Sequence, residues 1–354
     1  MRTRVTPPTV PLRLEPVFKE KIWGRKDSHP SLPRFPEGDR KLGEIWMTDG
    51  ESKFADGPLK GKTLADATRE LGSDLCGTAW QQPRFPILAK YILTDDWLSL
   101  QVHPDDEYAK AHEPDTPGKA EMWYFIHCPP QGRILYGMKD GATPEQLQSA
   151  ARAGTLKSLI PELRPNPGEA FMVAPGRLHA IGPALVLFEV EQNSDITYRL
   201  DDFGRVGIDG QPRPLHLEKA MAVMRFDLPR SGATPELRFP EPFGSRRYLV
   251  ACRHFGVEHL TCEKEAPLVA EERRVEILTF LGGQGQFHTA NGPLPFATGQ
   301  TWLVPPRMSE GRLMPEGRCE MLRYYVPDLE KDFVEPLRAR GVSESQIRSV
   351  VYSL

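Results

Sequence analysis

The chain reads as a mainly β protein: two small barrels of the jelly-roll type, the first carrying a small helical insertion. Three observations point there. The 35 prolines and 30 glycines in 354 residues put proline at about twice its usual share. They fall between well-patterned apolar segments, so they punctuate many short strands and ordered turns. Apolar and polar residues alternate through WLSLQVH (97–103), the period-two pattern of a strand. One β unit also occurs twice. GEAFMVAPGRLH (168–179) aligns with GQTWLVPPRMSE (299–310): Gly168 with Gly299, Phe171 with Trp302, Val173 with Val304, Pro175 with Pro306. Upstream, EMWYFI…QG (121–132) aligns with EILTFL…QG (276–285) across a short gap. A repeated strand, glycine turn, strand and proline turn marks a duplicated barrel or jelly roll.

The elements follow in order. Strands and loops occupy 14–60 around LEPVFKEKIWG and GEIWMTDG, and TLADATREL (63–71) has the apolar spacing of a short helix. Strands are expected at RFPILAKYIL (84–93), WLSLQVH and EMWYFIH (121–127). In ATPEQLQSAARAGTLKSLI (142–160) Thr143 is an N-cap, Pro144 takes the first helical position and Gln146 closes a capping box, which marks the helical insertion. Strands return at EAFMVAP, ALVLFEVEQ and DITYRL, followed by a helix over PLHLEKAMAVMRF (214–226). Residues 228–244 read as a linker between a first unit, 1–227, and a second, 245–354. The β-rich part of the second unit ends near 326, and a helix capped at Asp328 or Ser343 closes the chain.

Composition removes several functions. A net charge of −3 and a pI near 6.3 leave no footprint for nucleic acid or an anionic membrane. No apolar run approaches the ~20 residues that cross a bilayer, and MRTRVTPPTVPLRLEP lacks the apolar stretch of a secretory signal. The five cysteines (76, 128, 252, 262, 319) are odd in number, scattered and never in CxxC spacing. They fit reduced thiols in a cytoplasmic protein better than disulfides or a thiolate zinc site.

Three segments of the first unit supply polar side chains that can converge. Gln101 and His103 share the polar face of their strand, Glu121 opens the next after PDTPGKAE, and His179 follows the turn in APGRLHAIG. Two imidazoles and a carboxylate at strand ends form the ligand set of an open divalent metal site such as zinc or iron. The amide oxygen of Gln101 can fill a fourth position. Singly, each histidine also fits a structural role. The repeat changes the balance, because the second unit keeps the scaffold glycine and proline but has Glu310 where the first has His179, and no QxH segment upstream. One barrel then holds a metal and the other is structural.

QVHPDDEYA, GKAEMWY, PGRLHAIG and QNSDITYR, in this order, resemble the type I phosphomannose isomerases, a family of zinc-dependent cupins. The resemblance covers at least 14–226, including LEPVFKEKIWG, GEIW, FPILAK and LHLEKA, and weakens over the C-terminal third. It implies a bicupin and an aldose–ketose isomerase acting on mannose 6-phosphate and fructose 6-phosphate, which supplies mannose for GDP-mannose and glycan synthesis. It implies one zinc ion held by His103, Glu121 and His179, with Gln101 a fourth ligand in some members, and it makes Arg199 the catalytic arginine. Without the resemblance, Arg199 also fits a surface salt bridge. The proton-transfer base stays open between a zinc-bound water or hydroxide, Lys119 and Glu44. A lysine base needs a pKa far below its usual ~10.4. Ser99, Arg205 and Lys119 are the candidates for binding the phosphate, and Glu44 is a further candidate for contact with substrate. Many bacterial relatives carry YRLYDWGR where this chain has Asp201 and Phe203, so Asp201 is positioned to hold or partly neutralise Arg199. The expected partner is the sugar phosphate, with no nucleic acid and no membrane, and the chain is expected to be a monomer or weak homo-oligomer. Two other readings stand beside this one. A cupin dioxygenase would use redox iron, and the absence of HxH weighs against it. A non-catalytic sugar-binding bicupin would have lost its ligands from both barrels.

Overall fold

The computed structural model describes residues 6–80, 82–228, 232–308 and 310–354. Among them, four sheets form in two facing pairs. In the first pair, a six-stranded sheet runs in the order Val17–Arg25, Leu42–Trp46, Ile87–Leu93, Val186–Gln192, Glu121–His127, Ala170–Val173. It faces a five-stranded sheet of Tyr198–Asp201, Leu100–Val102, His179–Ile181, Ile134–Tyr136 and Glu162–Leu163. Between them lie Ile92, Trp123, Phe125 and Leu187 from one sheet and Ile134, Tyr136 and Ile181 from the other. The second pair faces a seven-stranded sheet, centred on Glu276–Gly282 and Cys319–Tyr325, against a four-stranded one that includes Gln284–Thr289 and Gly292–Ala297. Its interior is Leu278, Phe280, Phe287, Phe296 and Met321.

The two large sheets pack back to back. Met122, Tyr91, Phe188 and Val190 on the outer face of the first meet Leu249, Val257, Ile277 and Tyr324 of the second. Both faces of the central strands are therefore buried, which is why ILAKYIL and VLFEVEQ read as almost continuous apolar runs. Each large side chain fully buried here contributes on the order of 1.5–3 kcal/mol. The repeat alignment holds in register as well as in sequence: Glu121 pairs with Val173 and Glu276 with Val304. The matched turn glycines, Gly168 and Gly299, take φ of 85° and 81°, a left-handed conformation that other residues adopt at a cost.

The helices fall where their caps place them. Thr143 and Gln146 form the capping box of Pro144–Ala153. Gly154 ends that helix in the left-handed region, so the expected single span 142–160 breaks into this helix and a 3₁₀ turn, Leu156–Leu159. Thr63 caps Leu64–Leu71, and Leu217–Val223 lies inside the helix expected over 214–226. Ser343 caps the last helix, Glu344–Ile347.

The structure corrects the expected division at two points. Leu12–Leu14, assigned by sequence to the first unit, pairs with Thr301–Leu303 of the second, covering an edge that would otherwise present unpaired backbone groups. The stretch expected as a linker, 228–244, contains the strand Leu237–Glu241, paired with Gly244–Tyr248; residues 229–231 of it lie outside the described residues.

Candidate metal centre and active site

The strand expected over 97–103 is paired only at Leu100–Val102. Leu100 and Val102 are buried in apolar core on one side of it, whereas Leu98 lies in the interior between the sheets, the side to which Gln101 and His103 turn. There His103, Glu121 and His179 bring one ligand atom each to within 4.8 Å of one another, all three buried. His179 Nε2 lies 3.2 Å from Glu121 Oε1 and His103 Nε2 lies 3.6 Å from Glu121 Oε2. The far ring nitrogens are fixed: His103 Nδ1 lies 2.7 Å from the Ile196 carbonyl and His179 Nδ1 2.8 Å from that of Arg177. A carbonyl only accepts, so each Nδ1 carries the proton and each Nε2 turns a lone pair inward, the orientation metal-ligating histidines take.

Burial holds the His179 imidazole down to about 4 and His103 well below its ordinary value, so both are neutral at pH 7. Burial, reinforced by Glu189, pushes Glu121 up to about 7 against the pull of Lys119. His103 Nε2 and both carboxylate oxygens of Glu121 are buried without a hydrogen-bond partner. Orphaned acceptors converging on one point in a buried site are costly unless a cation sits among them. Two neutral imidazoles and a carboxylate suit a divalent metal ion.

Gln101 adjoins the cluster in a particular way. Its Nε2 lies 3.3 Å from His179 Nε2, while its Oε1 accepts from the Ser99 hydroxyl at 3.1 Å. Offering oxygen to a cation requires the opposite amide orientation. Ser99, buried, therefore positions Gln101 here. Register places Arg199 opposite Gln101, and Gln101 opposite His179. Directly paired residues share a face, so Arg199, Gln101 and His179 form a row along the same side of three strands. Arg199 is half-buried, donates from Nη1 to the Pro214 carbonyl at 2.8 Å and keeps a buried Nε without a partner.

Lys119 lies beside Glu121, at 3.3 Å from its Oε2 and 2.8 Å from Glu191 Oε2. Burial alone would lower its pKa, but Glu191 and Glu121 hold it above the ordinary lysine value. That is the reverse of what a lysine base needs. Glu44 is buried but tied elsewhere, accepting from Trp46 Nε1 at 2.7 Å and pairing with Lys21 at 3.1 Å. Arg205 bonds to Asp202, Asp96 and the Trp97 carbonyl. Asp201 does not pair with Arg199; its Oδ1 accepts from the Phe203 backbone and caps a turn in which Phe203 has φ 56°.

Sequence reading missed Lys90, Glu189 and Glu191, three buried charges behind the cluster. Lys90 Nζ lies 3.0 Å from Glu189 and 3.1 Å from Glu191, and Trp123 Nε1 donates to Glu189 at 2.8 Å. Glu121, Glu189 and Glu191 form a second close triad, but Lys90 and Lys119 already place cationic ammonium groups against it. The signal was there in the sequence, as charges on one face of otherwise apolar strands.

Comparison with known proteins points to one family. The sequence profile described as "Phosphomannose isomerase type I, catalytic domain" matches residues 12–129. Mannose-6-phosphate isomerase ManA of Bacillus subtilis (strain 168) is 32% identical over 322 residues, 88% of this chain and 98% of the relative. Probable mannose-6-phosphate isomerase GmuF of the same organism is 37% identical over 320 residues, 89% of this chain and 98% of the relative. The crystal structure of the mannose 6-phosphate isomerase from Bacillus subtilis superposes with a TM-score of 0.80 at 28% identity, covering 89% of this chain and 99% of that one. A putative mannosephosphate isomerase from Archaeoglobus fulgidus shares the fold, with a TM-score of 0.71 at 18% identity over 90% of this chain and 98% of that one. With the geometry and the likeness pointing to the same chemistry, this chain belongs to the type I mannose-6-phosphate isomerase family.

Proposed function

We infer that the chain interconverts D-mannose 6-phosphate and D-fructose 6-phosphate, and that the ion at His103, Glu121 and His179 is zinc. The observation that carries this is the convergence of orphaned, neutral-imidazole and carboxylate acceptors in a chain of this family. Aldose–ketose isomerisation removes a proton from the carbon beside a carbonyl and returns it to the neighbouring carbon through an enediolate. When bound, zinc supplies Lewis-acid polarisation of the sugar oxygens. His103 and His179 would hold it through Nε2 and Glu121 through its carboxylate. Arg199, on the same row as His179, is the permanent cation that stabilises the developing oxyanion without exchanging a proton. Lys119, protonated between two carboxylates, acts as a fixed charge and orients Glu121, and Ser99 sets the amide of Gln101. We further assign the first pair of sheets as the catalytic unit and the second as a metal-free support.

No described helix is long and apolar enough to cross a membrane, and all five cysteines are free thiols. The free thiols support a reducing, cytoplasmic setting for a monomer or weak homo-oligomer whose partner is the sugar phosphate. The test is a coupled assay on the metal-loaded protein. Conversion of mannose 6-phosphate, abolished by chelator and restored by zinc, is the expected result; an inert metal-loaded protein, or stoichiometric iron with oxygen uptake, refutes it.

A further inference from the structure

The three residues expected from sequence to bind phosphate are poorly placed for a dianion. Arg205 has its guanidinium taken up by Asp202 (Nη2 to Oδ1 at 2.8 Å, Nε to the carbonyl at 3.0 Å), by Asp96 at 3.2 Å and by the Trp97 carbonyl. Lys119 is flanked by Glu121 and Glu191, whose charge repels a phosphate. The Ser99 hydroxyl already donates to Gln101.

Arg213 shares the Asp202 carboxylate with Arg205 but leaves one guanidinium nitrogen open. Arg213 sits with its guanidinium 5.1 Å from the centre of the Trp23 ring, and Trp23 belongs to the same apolar interior as Trp123, which packs edge-on at 5.4 Å from His179. Asp202 holds it by two bonds, from Nε to Oδ2 at 2.7 Å and from Nη2 to Oδ1. Among the described residues Nη1 makes no hydrogen bond, and the side chain is 20% exposed. The next residue, Pro214, accepts from Arg199, so Arg199 and Arg213 stand side by side. Asp96 helps to balance Arg205, and Asp202 is shared between Arg205 and Arg213, so the charges acting on Arg199 are two guanidiniums against the one carboxylate of Asp202. Like charges held together with donors to spare form an anion site.

We propose that Arg213, locked between Asp202 and Trp23, binds the phosphate of the substrate and so makes the site select phosphorylated sugars. The proposal rests on the isomerase reading for its substrate, but phosphate binding is measurable without turnover. The experiment uses full-length, zinc-loaded protein and three forms: wild type, Arg213→Met and Arg213→Lys. Inorganic phosphate affinity is read by calorimetry, and KM and kcat for mannose 6-phosphate by the coupled assay. Arg213→Met is expected to weaken phosphate binding and raise KM by about 10-fold or more, the scale of a hydrogen bond to a charged group. Turnover at saturation and zinc content stay near wild type. Arg213→Lys keeps the charge but not the fork, and recovers part of both losses; if Arg213→Met does not fold, the smaller rise in Arg213→Lys decides. Phosphate affinity and KM unchanged in a folded variant overturn the proposal, as does a fall in kcat with KM intact. A wild type that binds phosphate through Arg213 but converts no mannose 6-phosphate overturns the isomerase reading and leaves this one standing.

Discussion

Glu121 and Glu276 occupy the same position in the two pairs of sheets, and their surroundings are inverted. Each begins a strand and pairs with a valine, Val173 or Val304. Two residues on, the next strand puts Glu189 opposite Trp123 in the first and Arg323 opposite Leu278 in the second. One strand further, Lys90 faces Glu189 and Glu258 faces Arg323. Around Glu121 stand the Nε2 atoms of His179 at 3.2 Å and His103 at 3.6 Å, with Lys119 Nζ at 3.3 Å but nearer to Glu191, and neither Glu121 oxygen accepts a hydrogen bond. Around Glu276 a guanidinium closes the site: Arg323 Nε donates to Oε2 at 2.8 Å and Nη2 to Oε1 at 2.6 Å, with Arg274 at 3.3 Å. Glu310, aligned with the ligand His179, is exposed. One scaffold therefore sets a carboxylate among imidazole lone pairs, and the other closes its carboxylate with a guanidinium fork. The difference separates a site from a structural core.

The sharpest way to break this comparison is to neutralise each glutamate in turn. Glu121→Gln is expected to lose its metal and its activity together, because a neutral amide cannot replace the one anionic ligand of the cluster. Glu276→Gln is expected to keep metal content and turnover at wild-type values while losing thermal stability. Metal analysis beside the coupled assay reads both; loss of metal from the Glu276 variant would mean that the second unit is not merely a support.

Arg199→Ala sharpens the comparison within the first unit. Turnover should fall by about 10²-fold or more, the usual result of removing an oxyanion donor, with metal content unchanged. Metal loss in this variant would make Arg199 part of the metal's support and would unseat its catalytic assignment.

Much of this was legible from residue order. Alternation in WLSLQVH and the glycine and proline matches between 168–179 and 299–310 foretold the strands, the repeat and the cluster, because strand period and turn chemistry are local. What escaped depends on which strands lie side by side. Lys90, Glu189 and Glu191 sit in runs that read as plain apolar core, and only the pairing of Lys90 with Glu189 brings their charges together. Arg205 was named for following Arg199 by six residues, whereas the turn at Phe203 carries it toward Asp96, and Arg213, which sequence reading passed over, lies beside Trp23. Leu12–Leu14 joined the second unit for the same reason: an edge strand is chosen by the partner that lacks one.

The smallest expected effect tests whether the built-in cation of the second unit is what stabilises it. Burial alone would raise the Glu276 carboxyl, but Arg323, with Arg274, holds it below the ordinary range. A carboxyl depressed in the folded state stabilises the fold above its unfolded value of ~4.3, and that contribution disappears as pH falls through the folded value. Arg323→Met removes the fork and leaves a buried carboxylate with Arg274 as its remaining close cation. The cost at pH 7 should be on the order of 3 kcal/mol, the lower end of the range for breaking a buried pair. The thermal midpoint should then drop by several degrees at pH 7. Because Glu276 becomes protonated in both proteins under acid, the gap between wild type and variant should narrow below about pH 4. Calorimetric scans from pH 7 to pH 3 measure it. A gap that stays constant across that range would mean that Arg323 stabilises the second unit through its guanidinium over the Tyr325 ring, 5.0 Å away, and not through its pairing with Glu276.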